Sequence, residues 1–136
     1  MREIASGEQR SIAFDVTESM QAAFGGRCMH AVLSTWVLVH HLEWAARLVL
    51  EPALEDGEEG VGAGVDLRHV RPASIGSRVT VTARAVRQQA ALLVCEVCAF
   101  CGGQQIAKGR VFQAVLPRER WDALRAAGPL AASGEE

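Results

Sequence analysis

One segment of the chain is both long enough and apolar enough to form a buried helix. It covers residues 34–50 and reads STWVLVHHLEWAARLVL. At about 100° per residue its apolar side chains leave no polar face, and they flank Glu43. The pattern predicts a helix that other elements cover on most sides. Ser34 or Thr35 can serve as the N-cap, and Pro52 ends the helix after about 17 residues.

Alternating apolar and polar residues predict strands around this helix. A glycine pair, Gly102 and Gly103, suits a tight hairpin between the last two strands. Residues 18–30, with their small and polar side chains, are expected to be loop or a short helical turn. The predicted class is α+β, an antiparallel sheet curled around one helix. The predicted strands cover residues 11–17, 61–71, 77–88, 90–101 and 104–116.

Length and composition favour a single domain. The chain has 136 residues, of which 49% are hydrophobic and 22% charged, so it can bury a core without disulfides or metals. We place this domain at residues 10–117. Residues 1–9 form a lead-in, and residues 118–136 are expected to form a short helix followed by a disordered tail.

Net charge and hydropathy argue against two classes of partner, nucleic acid and the membrane. A net charge of −2 leaves no basic excess for nucleic acid. His40, Glu43 and Arg47 interrupt the apolar segment, so we expect a soluble helix and no membrane span. The polar start of the chain has no apolar signal region, which predicts a cytoplasmic protein whose four cysteines are reduced thiols.

Three residues stand out as candidates for chemistry. Glu43 places a carboxylate among apolar neighbours, where burial is costly unless the group is paired or functional. The alternative is an ion pair with Arg47, one helical turn away. His69 suits proton transfer near neutral pH, although a lone histidine is often structural. Thr35 by itself would be a cap or a core hydroxyl.

The combination of these residues resembles a known family. An apolar helix begins with Thr35 and carries Glu43 eight residues on, and His69 follows twenty-six residues later in VGAGVDLRHV. From residue 12 to residue 116 the chain looks like the hotdog fold, within the fluoroacetyl-CoA thioesterase-like group. The resemblance implies a five- to six-stranded antiparallel sheet around one long helix. It also implies that Thr35, Glu43 and His69 are the catalytic residues.

The activity implied by the resemblance is hydrolysis of a small or medium acyl thioester of coenzyme A or of an acyl carrier protein. In this hypothesis Glu43 attacks the carbonyl carbon or activates water, Thr35 positions the reacting groups and His69 is the general acid or base. No cofactor is expected beyond the coenzyme A of the substrate. A homodimer or higher oligomer is implied, in which Glu43 and His69 meet across chains. Residues that would sense fluorine are not identifiable, so a fluorinated substrate is not inherited.

Several alternatives remain beside this interpretation. A non-catalytic hotdog domain could bind an acyl thioester or another small apolar ligand, and a related enzyme could hydrate an enoyl thioester. Metal binding is disfavoured, because strand alternation places Cys95 and Cys98 on opposite faces. His40 and His41 likewise point about 100° apart on the helix. Three arginines could bind the phosphates of coenzyme A, or their side chains could simply be solvated. These arginines are Arg68, Arg71 and Arg84.

Overall fold

The apolar segment forms a helix at the centre of the fold, α1. The structure is a computed structural model that describes residues 1–128. Ser34 is the N-cap, and its Oγ accepts a hydrogen bond from the backbone N–H of Val37 at 3.4 Å. Pro52 lies in the 3₁₀ turn that follows the helix. The elements are β1 Gln9–Asp15, β2 Gln21–Phe24, β3 Arg27–Leu33, α1 Thr35–Leu50, β4 Glu58–His69, β5 Arg78–Gln89, β6 Leu92–Cys101, β7 Gln104–Pro117 and α2 Arg118–Ala126.

Five strands form one antiparallel sheet in the order β1-β5-β6-β7-β4. Its inner face packs on one side of α1, because period-two alternation turns the apolar side chains of each strand to the same face. In β5 this inner row consists of Val79, Val81, Ala83 and Ala85, all of them buried. The predicted α+β class with a five-stranded sheet is therefore observed.

The helix is less covered than its sequence suggests. Leu38, Leu42 and Ala45 are fully buried against the sheet. On the opposite side, Trp36 and Trp44 are 48% and 49% exposed. The prediction of a helix covered on most sides is therefore wrong for the single chain, because the sheet curls around one face of α1 and leaves the other open.

A two-stranded hairpin, β2 and β3, stands where the sequence predicted a loop. Its turn is made by Gly25 and Gly26, both with positive φ, a conformation that glycine adopts readily. Most of its residues are exposed or half-buried, so burial imposes little hydrophobic alternation for a sequence pattern to reveal. The expected helical turn does form, as a 3₁₀ turn at Glu18–Met20.

Most other predicted boundaries are met within two residues. The main shift is in β4, which begins at Glu58, three residues before the predicted start at residue 61. Gly102 and Gly103 have φ of 57° and 77° and form the predicted hairpin turn between β6 and β7. The short C-terminal helix is present as α2, whereas the expected tail from residue 129 lies outside the described residues. Within residues 1–128, no helix is long and apolar enough to cross a membrane.

Candidate active site

Two polar side chains, Ser34 and Thr35, lie at the start of α1, and the sequence allowed either of them to be the N-cap. Ser34 caps the helix, so the side chain of Thr35 is not needed for capping. The Thr35 hydroxyl instead lies 3.0 Å from Nδ1 of His69, within hydrogen-bonding distance. The start of the helix and the end of β4 thus bring together two residues that are 34 positions apart.

The second nitrogen of His69 is available for chemistry. Nε2 is buried and has no hydrogen-bond partner among the described residues, an unusual state for a buried polar atom. Burial lowers the pKa of His69 below its usual 6.5, and the nearby backbone of Arg71 opposes this effect only in part. Desolvation therefore favours the neutral imidazole, and Nε2 is left without a hydrogen-bond partner among the described residues.

Glu43 lies apart from this pair within the single chain. It lines a cavity of about 250 Å³ between α1 and strands β4 and β7. Gly62 forms part of its wall, and a Cβ at this position would lie at an ordinary contact distance, 3.7 Å, from the Glu43 carboxylate. The cavity is lined by His40, Glu43, Trp44, Arg47, Gly62, Gly64, Val111, Phe112 and Gln113.

Two sequence-based expectations for Glu43 are not met in the single chain. Its side chain is exposed rather than buried. The alternative ion pair with Arg47 is also absent among the described residues, because Arg47 Nε donates to Glu51 at 3.1 Å and its Nη1 to the carbonyl of Gly60 at 2.7 Å. Glu43 is therefore left without a cationic partner in the described part of the chain.

The wall of this cavity contains residues that sequence reasoning missed. Trp44 and Phe112 are its aromatic lining. Gln113 is buried, and its Nε2 donates to the Ala46 carbonyl at 3.0 Å, which fixes β7 against the helix. The signal available in the sequence was the glycines of VGAGV, which permit a close approach to β4.

Metal ligation is not supported by the geometry. Cys95 is buried in the core, whereas Cys98 faces the opposite side of the sheet, as predicted. His41 stacks on Phe14 with ring centroids 3.7 Å apart, and its Nδ1 donates to the Val37 carbonyl. No group of three or more metal-ligating side chains occurs in residues 1–128.

Solved structures show the class of this fold. A hot-dog-like protein from Thermanaerovibrio acidaminovorans superposes with a TM-score of 0.84 at 19% identity, covering 91% of this chain and 92% of that one. A Thermus thermophilus protein described as a thioesterase superfamily member is 35% identical, with a TM-score of 0.90 over 93% of this chain and 94% of that one. The predicted hotdog fold is confirmed, and the class is that of the hotdog thioesterases.

Sequence comparison narrows the class to one family. The model of the FlK family, fluoroacetyl-CoA-specific thioesterase, matches residues 16–119. The fluoroacetyl-CoA thioesterase of Streptantibioticus cattleyicolor is 32% identical over 92 residues, which are 68% of this chain and 66% of that protein. A variant of FlK solved with fluoroacetate and CoA is 26% identical, with a TM-score of 0.78 over 87% of this chain and 99% of that one. The chain therefore belongs to the FlK family, and the predicted enzyme class, thioester hydrolase, is confirmed.

Proposed function

We propose that this chain hydrolyses a small or medium acyl-CoA thioester, and that Thr35, His69 and Glu43 are its catalytic residues. The observation that carries the proposal is the 3.0 Å contact between the Thr35 hydroxyl and Nδ1 of His69, which leaves Nε2 buried and unpartnered. The FlK structure with fluoroacetate and CoA supports an acyl-CoA substrate, because it belongs to the same family. No cofactor is needed beyond the coenzyme A that the substrate carries.

The Thr35–His69 pair can provide a hydrogen-bond donor during thioester cleavage. With a neutral imidazole, the Thr35 hydroxyl donates to Nδ1, and the proton of the ring then resides on Nε2. An Nε2–H group can donate a hydrogen bond to the carbonyl oxygen of a bound thioester as it becomes an oxyanion. This tautomer uses the only buried side-chain polar atom without a partner in residues 1–128.

The first turn of α1 can supply further donors for the oxyanion. Helix N-termini carry N–H groups without intrahelical partners and a partial positive charge. In this helix the N–H of Val37 is taken by Ser34, so those of Thr35 and Trp36 are the ones free to bind substrate. The carbonyl carbon would thus be polarised beside the Thr35 hydroxyl.

Glu43 reaches this centre only if a second copy of the chain contributes it. Eight residues of helix separate Glu43 from Thr35, about 12 Å at ~1.5 Å per residue. The exposed face that holds Glu43 also displays Trp36 and Trp44, each about half exposed, and a large exposed apolar patch is typical of an interface. We infer a homodimer in which the Glu43 of one protomer faces the Thr35–His69 pair of its partner. Glu43 then either attacks the carbonyl carbon or activates water.

The cavity beside Glu43 can form part of the pocket for the acyl group. Its volume of about 250 Å³ is below the usual range for drug-sized ligands, about 300–1,000 Å³. Trp44 and Phe112 give it aromatic walls. These features favour a short or medium acyl chain, or a small aryl-acyl group.

Release of free thiol from a panel of CoA thioesters tests the proposal. The panel contains acetyl, fluoroacetyl, medium-chain and phenylacetyl thioesters, with Glu43→Gln and His69→Ala beside the wild type. We expect the wild type to release thiol and both variants to lose most of the turnover while remaining folded. A folded wild type that hydrolyses none of the thioesters, or a fully active Glu43→Gln variant, would contradict the assignment.

A further inference from the structure

The outer face of the sheet, turned away from α1, carries a groove of about 620 Å³. The groove is distinct from the site described above, since it contains none of Thr35, Glu43 and His69. Four cationic and two anionic side chains line it, which gives it a net charge of +2. The charged residues are Arg68, Arg84, Lys108, Arg110, Asp66 and Glu96.

One row of these side chains is balanced by its own neighbours. In cross-strand register, Asp66 of β4 faces Arg110 of β7, and Arg110 faces Glu96 of β6. Glu96 in turn faces Arg84 of β5 and accepts a hydrogen bond from its Nη2 at 2.7 Å. The signs alternate along this row, so it needs no external ion.

The next row is not balanced. Arg68 of β4 lies directly opposite Lys108 of β7, and like charges in this position are destabilising. Beyond Lys108 the row continues with neutral side chains, Cys98 and Thr82. Within the described part of the chain neither Arg68 nor Lys108 forms an ion pair. The two cations thus face one groove without a carboxylate bound to either of them.

The sequence offered three arginines as candidates to bind phosphate, and the structure shows which of them already have a partner. Arg71 donates to the carbonyl of Gln105 at 2.9 Å, and Arg84 is paired with Glu96. Of the three candidates, Arg68 is therefore the one left to bind an anion. Lys108, which belongs to no motif in the sequence, is brought next to it by the pairing of β4 with β7.

We propose that Arg68 and Lys108 form a binding site for a phosphate-bearing ligand on the outer face of the sheet. A guanidinium binds phosphate oxygens in a bidentate manner, and an ammonium adds a point charge. Gln105 and Thr82, also in the groove, can supply neutral donors. The bound anion would offset the repulsion between the two cations.

Two sources could supply such a phosphate. One is the nucleotide end of coenzyme A, and this source rests on the proposed function. His69 follows Arg68 in β4, which is an edge strand of the sheet in the single chain. Because successive strand residues point to opposite faces, coenzyme A would have to pass around this edge to reach both residues. The other source is a separate phosphorylated small molecule that occupies the groove independently of catalysis.

Direct binding tests the site whether or not the protein turns over a thioester. We would titrate the full chain calorimetrically with adenosine 3′,5′-bisphosphate and with inorganic diphosphate at low salt. We expect saturable binding to the wild type and at least a tenfold weaker Kd in both Arg68→Gln and Lys108→Gln. The matched control is Arg78→Gln, which removes an outer-face arginine that pairs with Asp15. Absence of binding to the wild type, or an equal loss in the control, would overturn the proposal.

Kinetics distinguish the two sources. If the ligand is the nucleotide of coenzyme A, Arg68→Gln and Lys108→Gln should raise KM for an acyl-CoA about tenfold at unchanged kcat. The same variants should leave KM unchanged for the acyl-pantetheine thioester, which lacks the nucleotide. If the ligand is a separate molecule, bisphosphate binding is lost while both KM values stay the same. Failure of the proposed function would appear as no turnover of either thioester, and the calorimetric result would still decide the site.

The unfolding temperature distinguishes a ligand-binding role of Lys108 from a purely structural one. Without ligand, Lys108→Gln removes a like-charge contact, so we expect an unfolding temperature equal to or above that of the wild type. A residue present for structure would lower the unfolding temperature when replaced. A clear decrease in Lys108→Gln would therefore contradict the proposal even if phosphate binding were also lost.

Discussion

The hydroxyl of Thr35 and Nδ1 of His69 lie 3.0 Å apart, joining the first residue of α1 to the last residue of β4. The contact depends on Ser34, which caps the helix and leaves Thr35 free for another partner. It also depends on the register of β4, because a shift by one residue would turn His69 to the outer face of the sheet.

Replacing Thr35 by valine keeps its shape and removes the hydroxyl. We expect kcat to fall on the order of 10²-fold, as when one positioned hydrogen-bonding group is lost from an active site. Thr35→Ser retains the hydroxyl and should keep most of the activity. Thiol release by the two variants measures the effect, and equal urea unfolding curves confirm that both are folded. Comparable activity in Thr35→Val and the wild type would contradict a catalytic role for this hydroxyl.

The lowered pKa of His69 predicts a pH dependence of stability. Burial disfavours the imidazolium in the folded state, so below the usual pKa of 6.5 the unfolded chain binds a proton that the folded chain does not. Above 6.5 the ring is neutral in both states and contributes nothing. The free energy of unfolding should therefore decrease as the pH falls from 6.5 through the lowered folded pKa.

Urea denaturation of the wild type and of His69→Gln across this range checks the sign. The stability of the wild type relative to His69→Gln should decrease as the pH is lowered, because only the wild type carries the titrating ring. The same ring should allow kcat/KM to persist to a lower pH than an unperturbed histidine would permit. Parallel stability curves for the two proteins would show that His69 does not titrate as its burial implies.

A site shared between protomers predicts complementation between two inactive variants. Glu43→Gln and His69→Ala each destroy both sites of a homodimer. In a mixed dimer, one of the two sites receives an intact Glu43 from one chain and an intact His69 from the other. Random mixing in a two-fold symmetric dimer should therefore restore about a quarter of the wild-type activity.

The controls for this experiment separate assembly from chemistry. Each variant mixed only with itself should remain inactive. Adding Trp36→Glu to both variants should prevent complementation, because a charge on the exposed tryptophan face opposes dimer formation. Sedimentation velocity reports the oligomeric state in parallel. Dimers that form but recover no activity on mixing would place Glu43 and His69 of one site in the same chain.

Gly109 is predicted to be essential for the pairing of β4 with β7. A Cβ at this position would overlap the backbone carbonyl oxygen of Asp66 and come within 2.9 Å of the Cα of Leu67. Backbone atoms cannot yield as a flexible side chain can, so Gly109→Ala should lower the free energy of unfolding by about 2–3 kcal/mol. Gly64→Ala is the matched control in the same strand pair, because its Cβ would meet Phe112 at an ordinary 3.6 Å. Urea unfolding of both variants measures the difference, and equal stabilities would refute the prediction.

The hairpin β2–β3 and the exposed face of α1 are two features that the sequence pattern did not predict. The alternation of apolar and polar residues predicted β5, because every second side chain of this strand packs against α1 and is apolar. The hairpin has few buried positions, so its sequence is not under that constraint. The exposure of Trp36 and Trp44 was not predicted, because a helical pattern shows only which residues are apolar. It does not record whether the chain itself or another protein covers them.

The sequence alone determined the fold class, the central helix and the five strands of the main sheet, because burial requires apolar residues at a fixed period. Its resemblance to the hotdog thioesterases also supplied the family and the three candidate residues. The tertiary structure decided that Ser34 rather than Thr35 caps the helix, that Thr35 meets His69, and that Glu43 lies apart from them in one chain. It also placed Lys108 opposite Arg68. These are relations between distant residues, and they depend on strand register and helix placement, which no local pattern contains.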